Sequence, residues 1–374
     1  MALRAAVIGA GIVGASVAFR LAGSGAARVW IVDRSGPGSG TTSASFAWVN
    51  ANDKTPRDYF ELNHAGLEEH LQLRDELPDE APWLHSGGNL EWAEDEEALK
   101  ALINRVERLR SWGYATEWRE ARHVNELLEP YVAFPSSDTP VAFFPKEAWV
   151  DASQLAHAFV GLARQKGVET RFGVAVKEIE TDGGRVSALL LRGGERLPVD
   201  AVVNAAGPEA DKVAALLGRT LPLRAREGLL VRLSVEENVI GRLVHTPQVN
   251  LRPDGKERIV VHHSSVDQKL EDDGVSEDSL CQELLERARR VVPALEGAKV
   301  EDVRVGVRPI PEDGLPCVGA VPELPGYYET VTHSGVTLGP LLGRLLTREI
   351  LDGEVAGLIS PFRPARFARN RVSP

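Results

Sequence analysis

The start of the chain contains a strand, a glycine-rich turn and a helix in direct succession. Residues 5–8 form an apolar run that predicts a buried strand. Gly9, Gly11 and Gly14 follow in the spacing G-x-G-x-x-G, and a helical pattern covers residues 12–22. Backbone N–H groups in such a turn can closely approach a phosphate. The pattern therefore predicts a βαβ unit that binds a dinucleotide.

A second apolar run, residues 29–32, completes this unit and ends at an acidic residue. Gly9 allows the tight turn, Gly11 admits a pyrophosphate to the backbone, and Gly14 lets the helix pack closely on the strand. Asp33, 19 residues after Gly14, is placed to accept hydrogen bonds from an adenosine ribose. The motif by itself does not separate NAD from FAD.

Composition and charge narrow the class of protein. The chain has 374 residues, 43% hydrophobic and 26% charged, which is ordinary for a globular protein long enough for two domains. A net charge of −11 argues against nucleic acid as a partner. Cys281 and Cys317 give neither a disulfide framework nor metal-ligand spacing, so we expect no metal.

No stretch approaches the roughly 20 apolar residues of a membrane span. The first strand begins within four residues, so we expect no secretory signal and a cytoplasmic protein.

The order of predicted elements indicates an α/β fold. Helical patterns cover residues 56–77, 94–113, 152–166, 208–217, 277–292 and 339–351. Strand patterns cover residues 86–92, 142–144, 148–150, 169–172, 174–181, 185–191, 196–198, 200–206, the alternating runs within 223–263, 300–307 and 327–331. Asp151 is placed to cap the helix at 152–166, and Gly167 to end it.

These elements divide into two predicted domains. Pieces of the nucleotide-binding domain occur at the start, the middle and the end of the chain, over residues 1–50, 141–220 and 305–374. The segments between them, 51–140 and 221–304, predict a second domain that contains an antiparallel sheet and helices. We expect a small-molecule cleft between the two domains.

Four segments of the chain share a resemblance to one family. They are GAGIVG with Asp33 and Arg34, the small-residue loop GTTSAS at 40–45, the strand end VVNAAG at 202–207, and GVRPIPEDGLPCVG at 306–319 followed by THSGVTLGPLLGRLLTREI at 332–350. Together they resemble the D-amino-acid oxidase superfamily of FAD-dependent amine oxidoreductases, which includes glycine oxidase and sarcosine oxidase. The resemblance is specific at both ends of the chain and loose between about 51 and 140.

The resemblance implies a fold, a cofactor and a reaction. The fold is a Rossmann-type FAD-binding domain (GR2-like) beside a substrate-binding domain. The reaction is oxidation of the CH–NH bond of an amino acid or related amine by hydride transfer to flavin N5, after which the imine hydrolyses. The residues implied to contact FAD are Gly9, Gly11, Ile12, Val13, Gly14, Asp33, Arg34, Gly40, Thr41, Thr42, Ser43, Ser45, Val176, Ala206, Gly207, Arg308, Ser334, Gly335, Val336, Thr337 and Leu338.

Two departures from the family pattern concern the cofactor. Glu209 occupies the place where members often have a tryptophan two residues after Ala-Gly. Sarcosine oxidase-like members bond flavin covalently through a cysteine, but Cys317 lies about eleven residues beyond that position, where Val305 or its neighbours stand. We therefore expect non-covalent FAD.

Arg308 is the main candidate for the substrate. The resemblance makes it the clamp for a substrate carboxylate, since a guanidinium binds a carboxylate through two parallel hydrogen bonds. A structural salt bridge is the alternative. Arg252 is a weaker second candidate for substrate contact. Trp48 and Asn50 are candidates to line the flavin face, and Trp48 is equally consistent with core packing.

Two histidines end one predicted strand. His262 and His263 point to opposite faces by strand alternation, so at most one of them reaches the cleft. Sarcosine oxidase-like members carry a lysine four residues before a histidine here, and that lysine helps oxygen react. This chain has Arg258 and His262 at that spacing, and arginine cannot relay a proton as lysine can. The alternative, given equal weight, is that Arg258 is a surface charge and His262 a hydrogen-bonded histidine, neither with a role in the reaction.

Other functions stay open at this point. An NAD-dependent dehydrogenase would use the same βαβ unit, although it would not need the glycine-rich turn at 335–338. A non-catalytic flavoprotein is a further alternative, against which Arg308 argues. The resemblance leaves open which amine is the substrate, and whether oxygen or another acceptor reoxidises the flavin.

Overall fold

The structure is a computed structural model that describes residues 2–77, 83–270 and 275–370. The helices, numbered along the chain, are α1 (Ile12–Gly23), α2 (Arg57–Glu76), α3 (Glu96–Ser111), α4 (Ala121–Leu127), α5 (Ala152–Gln165), α6 (Ala210–Ala215), α7 (Ser264–Asp267), α8 (Glu277–Val291) and α9 (Gly335–Asp352). The strands are β1 (Leu3–Ile8), β2 (Ala27–Asp33), β3 (Trp48–Val49), β4 (Leu84–Ser86), β5 (Asn89–Glu91), β6 (Glu117–Glu120), β7 (Pro140–Phe144), β8 (Ala148–Val150), β9 (Glu169–Phe172), β10 (Val176–Asp182), β11 (Arg185–Leu191), β12 (Arg196–Pro198), β13 (Ala201–Asn204), β14 (Leu223–Ser234), β15 (Leu243–His245), β16 (Asn250–Pro253), β17 (Arg258–His262), β18 (Lys299–Pro311), β19 (Cys317–Ala320) and β20 (Tyr327–Val331).

The glycine-rich turn follows the carboxyl end of β1, a central strand of a mostly parallel sheet. Its strand order is β19-β20-β13-β1-β2-β9, and β1 pairs in parallel with β2 on one side and β13 on the other. The two faces of β1 enter different parts of the core. Ala5 and Val7 belong to a cluster with α1 and α5, whereas Ala6 and Ile8 pack against residues of β10, β11 and β12. This two-residue alternation covers the sheet on both faces, as a parallel sheet requires.

A second sheet of eight strands faces the first domain. Its order is β18-β14-β17-β16-β15-β5-β7-β6, and β14 and β18 pair along their whole length. Helix α8 covers one face, where Leu284 packs in one cluster with Val231 and Val261. Since neighbours on a strand point to opposite faces, His262 points away from α8. The expected α/β fold is confirmed, and the second sheet is antiparallel except where β5 and β15 pair in parallel.

The predicted domain boundaries do not follow these sheets. Strand β7 pairs with β5 and β6, and β18 stays paired with β14 as far as Pro311, so both belong to the large sheet. The boundaries at 141 and 305 therefore cut through β7 and β18. The sequence pattern could not show this, because short apolar strands look alike in either sheet.

The last helix begins one turn earlier than predicted, at Gly335 instead of Gly339. Pro340 has no N–H, so the Val336 carbonyl oxygen lacks its helical donor. The Nε2 atom of His70, on α2, lies 2.9 Å from that oxygen. Burial lowers the pKa of His70 to about 4, so its neutral ring donates Nε2–H to Val336. A hydrogen bond from another helix thus supports a turn that local propensity disfavours.

Packing around Gly14 gives a direct test of the fold. A Cβ atom at Gly14 would lie 2.1 Å from the Gly9 carbonyl oxygen, whereas one at Gly23, on the same helix, would meet no atom within 4 Å. We expect Gly14→Ala to destabilise the protein by about 1–3 kcal/mol, as overpacking does. The measurement is the melting temperature, which should fall by roughly 1–4 °C in a chain of this length. Gly23→Ala is the control, and an equal fall in both variants would contradict the packing account.

Candidate active site

The nucleotide end of the site is built from the glycine turn and the end of β2. Gly9 has a φ of 105°, and a Cβ there would lie 2.3 Å from the Ala205 carbonyl oxygen, so the turn admits glycine alone. The Asp33 carboxylate accepts hydrogen bonds from Ala10 N at 2.8 Å and Ser35 N at 2.7 Å. These contacts hold Asp33 at the carboxyl edge of the sheet and leave it acceptor capacity for ribose hydroxyls.

The N-terminus of α1 provides free donors beside this turn. No side chain of its own caps the helix, although Ile12 N donates to Thr42 Oγ1 at 3.1 Å. Val13 and Gly14 have no partner within the helix for their N–H groups, because first-turn donors lack acceptors. A helix N-terminus of this kind, together with the small residues of the 40–45 loop, fits a pyrophosphate.

The departure at Glu209 has a structural explanation. The Arg34 Nη1 atom lies 2.7 Å from Glu209 Oε2, which ties the ends of β2 and β13 together at the surface. Val176 and Ala206 pack against the same cluster as Val32, and Gly207 turns the chain with a φ of 58°. The predicted adenosine-side residues therefore lie together at one edge of the sheet.

A cavity of about 360 Å³ lies between the large sheet and the first turn of α9. It brings together a large part of the predicted ring-side and substrate residues. Those that line it are Thr41, Ser45, Trp48, Asn50, His262, Arg308, His333, Ser334, Val336 and Thr337.

Hydrogen bonds at the α9 end of the cavity suit a polar ring. Thr337 Oγ1 donates to the Trp48 carbonyl oxygen at 3.2 Å and accepts from Asn50 N at 3.3 Å. Asn50 Oδ1 is buried and has no partner among the described residues. The predicted turn at 335–338 is the first turn of α9; Leu338 N donates to the Ser334 carbonyl oxygen at 2.9 Å, and the N–H groups of residues 335–337 lack helical acceptors. The free N–H groups of this turn and the unpaired Asn50 Oδ1 together fit the polar edge of a flavin ring. Leu338 does not line the cavity, because its side chain is fully buried in a core cluster.

Arg308 lies at the opposite wall and is ion-paired. Its Nη2 atom lies 2.6 Å from Asp267 Oδ2, and Nη1 donates to the Glu227 carbonyl oxygen at 3.2 Å. The guanidinium lies against Gly228, where a Cβ would be 2.3 Å from Nη2. Arg308 therefore lines the cavity and also forms the salt bridge that was the alternative interpretation.

His262 and Asp267 complete this wall. His262 Nε2 lies 2.9 Å from Asp267 Oδ2 and 2.9 Å from Arg308 Nη2. Burial raises the pKa of Asp267, but the hydrogen bond from His262 and the charge of Arg308 outweigh it and hold the pKa below its usual value. Asp267 is thus ionised and orients Arg308. His263 points away and caps α7 through Ser265 N, as the alternation predicted.

The structure does not bring two of the predicted residues into the cavity. Arg258 lies four residues from His262, about 13 Å along an extended strand, and is half exposed beside Asp254 and Glu301. Arg252 is buried and donates to the Phe46 carbonyl oxygen at 2.6 Å, to the Pro253 carbonyl oxygen and to Asp254. Both side chains line a separate pocket, and their catalytic or substrate contact stays a prediction that this cavity does not support.

Trp48 is held by a buried acid that sequence reasoning missed. Trp48 Nε1 donates to Glu147 Oε2 at 2.8 Å, and Tyr114 OH donates to Glu147 Oε1 at 2.9 Å. Burial, followed by the charge of Glu91, raises the pKa of Glu147 to about 8. The Trp48 ring also lies 4.0 Å, centroid to centroid, from His245. Trp48 is therefore partly buried, lines the cavity and packs against the His245 ring.

Two further groups in the cavity carried no sequence signal. Lys54 follows β3 in an unremarkable loop, and His245 ends the short strand β15. Burial lowers the pKa of His245 to about 3 and that of His333, which lies in the segment at 332–350, to about 4. Both rings are therefore neutral, and the charged side chains that line this cavity are Arg308 and Lys54.

Fold and site together define a dinucleotide-binding oxidoreductase, and comparison with known proteins identifies its family. The model of the DAO family, described as FAD dependent oxidoreductase, matches residues 4–349. The chain therefore belongs to this family and is an FAD-dependent oxidoreductase.

Two relatives illustrate the similarity. Glycine oxidase from Geobacillus kaustophilus (strain HTA426) is 26% identical over 96% of both chains. The crystal structure of glycine oxidase from Geobacillus kaustophilus superposes with a TM-score of 0.84 at 25% identity, covering 96% of this chain and 98% of that one. Iminodiacetate oxidase from Chelativorans sp. BNC1 gives a TM-score of 0.82 at 26% identity, over 96% of this chain and 99% of that one.

None of the helices in the described ranges has the length and apolar character that crossing a bilayer requires.

The buried acid predicts a pH dependence of stability. Glu147 has a folded-state pKa of about 8, above its ordinary value of 4.5, so the folded protein holds this proton more tightly than the unfolded chain. The stability that this proton contributes is fully present below about pH 4.5 and is lost progressively as the pH rises to about 8. We expect Glu147→Gln, measured by melting temperature against pH, to flatten the decline between these two pH values. The exposed Glu126→Gln variant should retain it, and a decline identical in all three proteins would contradict the assignment.

Proposed function

We propose that the protein oxidises the CH–NH bond of an amino acid or a related amine that carries a carboxylate, to give an imine that water hydrolyses. The observation that supports this most is Arg308, whose guanidinium lines the same cavity as the first turn of α9. The relatives named for glycine and iminodiacetate act on compounds that carry an amine beside a carboxylate.

The wall around Arg308 is arranged to position a carboxylate. Asp267 holds one edge of the guanidinium, and the flat contact on Gly228 limits its rotation. Arg308 Nε has no hydrogen-bond partner among the described residues, so it can donate to a ligand. A fixed arginine reduces the entropy lost on binding and determines which bond of the substrate faces the ring.

The chain's residues would hold FAD at both ends. The donors of the α1 N-terminus and Asp33 suit the adenosine diphosphate, and Asn50 with the first turn of α9 suits the ring. When bound, FAD supplies the acceptor for the hydride. Cys281 and Cys317 are both buried and neither lines the cavity, which supports non-covalent binding.

The remaining predictions belong to this proposal. We propose that the first sheet and the helices around it form the FAD-binding domain, and that the large sheet forms the substrate-binding domain, with the boundaries moved to exclude β7 and most of β18 from the former. The family match favours FAD over the nicotinamide alternative. The cytoplasmic location stays a prediction, and the electron acceptor, oxygen or another, stays undecided.

Substitution of Arg308 tests the function. We expect the purified protein to be yellow and to be bleached, without oxygen, by a member of a panel of D-, L- and N-methyl amino acids. Arg308→Met should lower kcat/KM for that amine by about 100-fold, because charge-assisted hydrogen bonds to the carboxylate are lost. The control is Arg258→Met, which removes an arginine outside the cavity and should change kcat/KM less than about two-fold.

Two outcomes would contradict the proposal. A yellow protein that no amine in the panel bleaches would favour the non-catalytic alternative. Equal losses in the Arg308 and Arg258 variants would show that Arg308 has no particular part in substrate binding.

A further inference from the structure

Lys54 brings a positive charge into the cavity without a matching acid. It is half-buried, it lines the cavity, and no carboxylate among the described residues lies within 4.0 Å of its Nζ atom. Its sequence neighbour Asp53 is largely exposed and lies 3.8 Å from Arg108. Glu147 is the other nearby acid, and its raised pKa of about 8 keeps it protonated at neutral pH.

Arg308, unlike Lys54, has a carboxylate that compensates its charge. The Asp267 carboxylate, 2.6 Å from Arg308 Nη2, compensates the guanidinium charge. His245 and His333 are neutral, since burial lowers the pKa of each to about 3 and 4 respectively. Burial also lowers the pKa of Lys54, so an anion that binds beside it stabilises its ammonium form. The uncompensated charge of the cavity therefore lies at Lys54.

The two cations stand at different places along the sheet. The Arg308 guanidinium contacts His262 on β17, whereas the loop that carries Lys54 is attached near β15. Asn52, two residues before Lys54, donates from Nδ2 to Glu91 Oε1 at 2.6 Å, and Glu91 pairs with His245 on β15. The Phe46 ring stands between these histidines, 5.6 Å from His245 and 6.0 Å from His262 by centroids. Strands β17 and β15 are separated by β16, so the two regions are roughly 10 Å apart at about 4.8 Å per strand.

This separation determines what can contact both cations. A single carboxylate hydrogen-bonds at about 2.8 Å and cannot contact two groups roughly 10 Å apart. Two carboxylates joined by a short chain can contact both. We propose that the substrate is a dicarboxylic amine, an amino acid or secondary amine with one carboxylate at Arg308 and the second at Lys54. This inference rests on the proposed function and specifies its substrate class.

Equilibrium binding tests the inference without turnover. The FAD-bound protein is titrated in a calorimeter with succinate and glutarate, which have two carboxylates and no amine, and with butyrate as the matched monocarboxylate. Lys54→Gln should weaken binding of the dicarboxylates by about ten-fold or more and leave butyrate within about two-fold. Lys54→Arg should restore dicarboxylate binding. Lys146→Gln, at an exposed lysine outside the cavity, should change neither.

Kinetics provide the second measurement. In Lys54→Gln, kcat/KM for aspartate, glutamate or iminodiacetate should fall, whereas any activity on glycine or sarcosine should persist. Equal loss for mono- and dicarboxylates would overturn the inference, because it would place Lys54 on the single carboxylate. Unchanged binding with slower reoxidation by oxygen would also overturn it. If wild-type protein binds dicarboxylates through Lys54 but no amine bleaches its flavin, the proposed function fails and the binding site remains.

Discussion

The close crossing of α1 with its neighbours is the constraint on which the rest of the structure depends. Gly14 brings α1 against the glycine turn, and Gly343 brings α9 so near that a Cβ there would lie 2.2 Å from Ser16 Oγ. The same helix therefore contacts the nucleotide edge of the sheet and the helix that borders the cavity. Because both N-termini have free N–H groups, this crossing places two donor-rich ends along one cofactor.

Charge compensation gives the cavity its chemical character. The Arg308–Asp267 pair with His262 forms one rigid wall, where the arginine is oriented but electrically balanced. At the other side, Glu147 anchors Trp48 in its protonated form and leaves Lys54 without a counter-ion. A buried charge without a partner is costly, and this cost is recovered when an anionic ligand binds. The unpaired lysine is thus more informative about the substrate than the paired arginine.

The sequence predicts much of the fold because its signals there are local. Asp151 accepts a hydrogen bond from Gln154 N at 2.9 Å, and Gly167 has a φ of 91°, so the predicted helix cap and stop are confirmed. The predicted start of α9 is wrong because the support for its first turn comes from His70, 266 residues earlier than Val336. Local propensity cannot report a hydrogen bond of that kind.

The sequence predicts the residues that line the cavity where they belong to a recognisable motif, and not elsewhere. Arg308 and His262 stand in segments whose pattern indicates a role, and both line the cavity. Asp267 and Lys54 are ordinary charged residues in loops or short helices, and their importance arises from burial and from their neighbours in space. Arg258 does not line this cavity, because a spacing of four residues along an extended strand separates its side chain from that of His262.

A crystal structure of the FAD-bound protein with glutarate tests the central claim most directly. We predict that the ring borders the first turn of α9, and that one carboxylate lies at hydrogen-bond distance, about 2.8 Å, from Arg308 and the other from Lys54. Both carboxylates on one side of Phe46, with Lys54 contacting solvent, would contradict the account of the substrate. A ring bound away from α9 would contradict the account of the site.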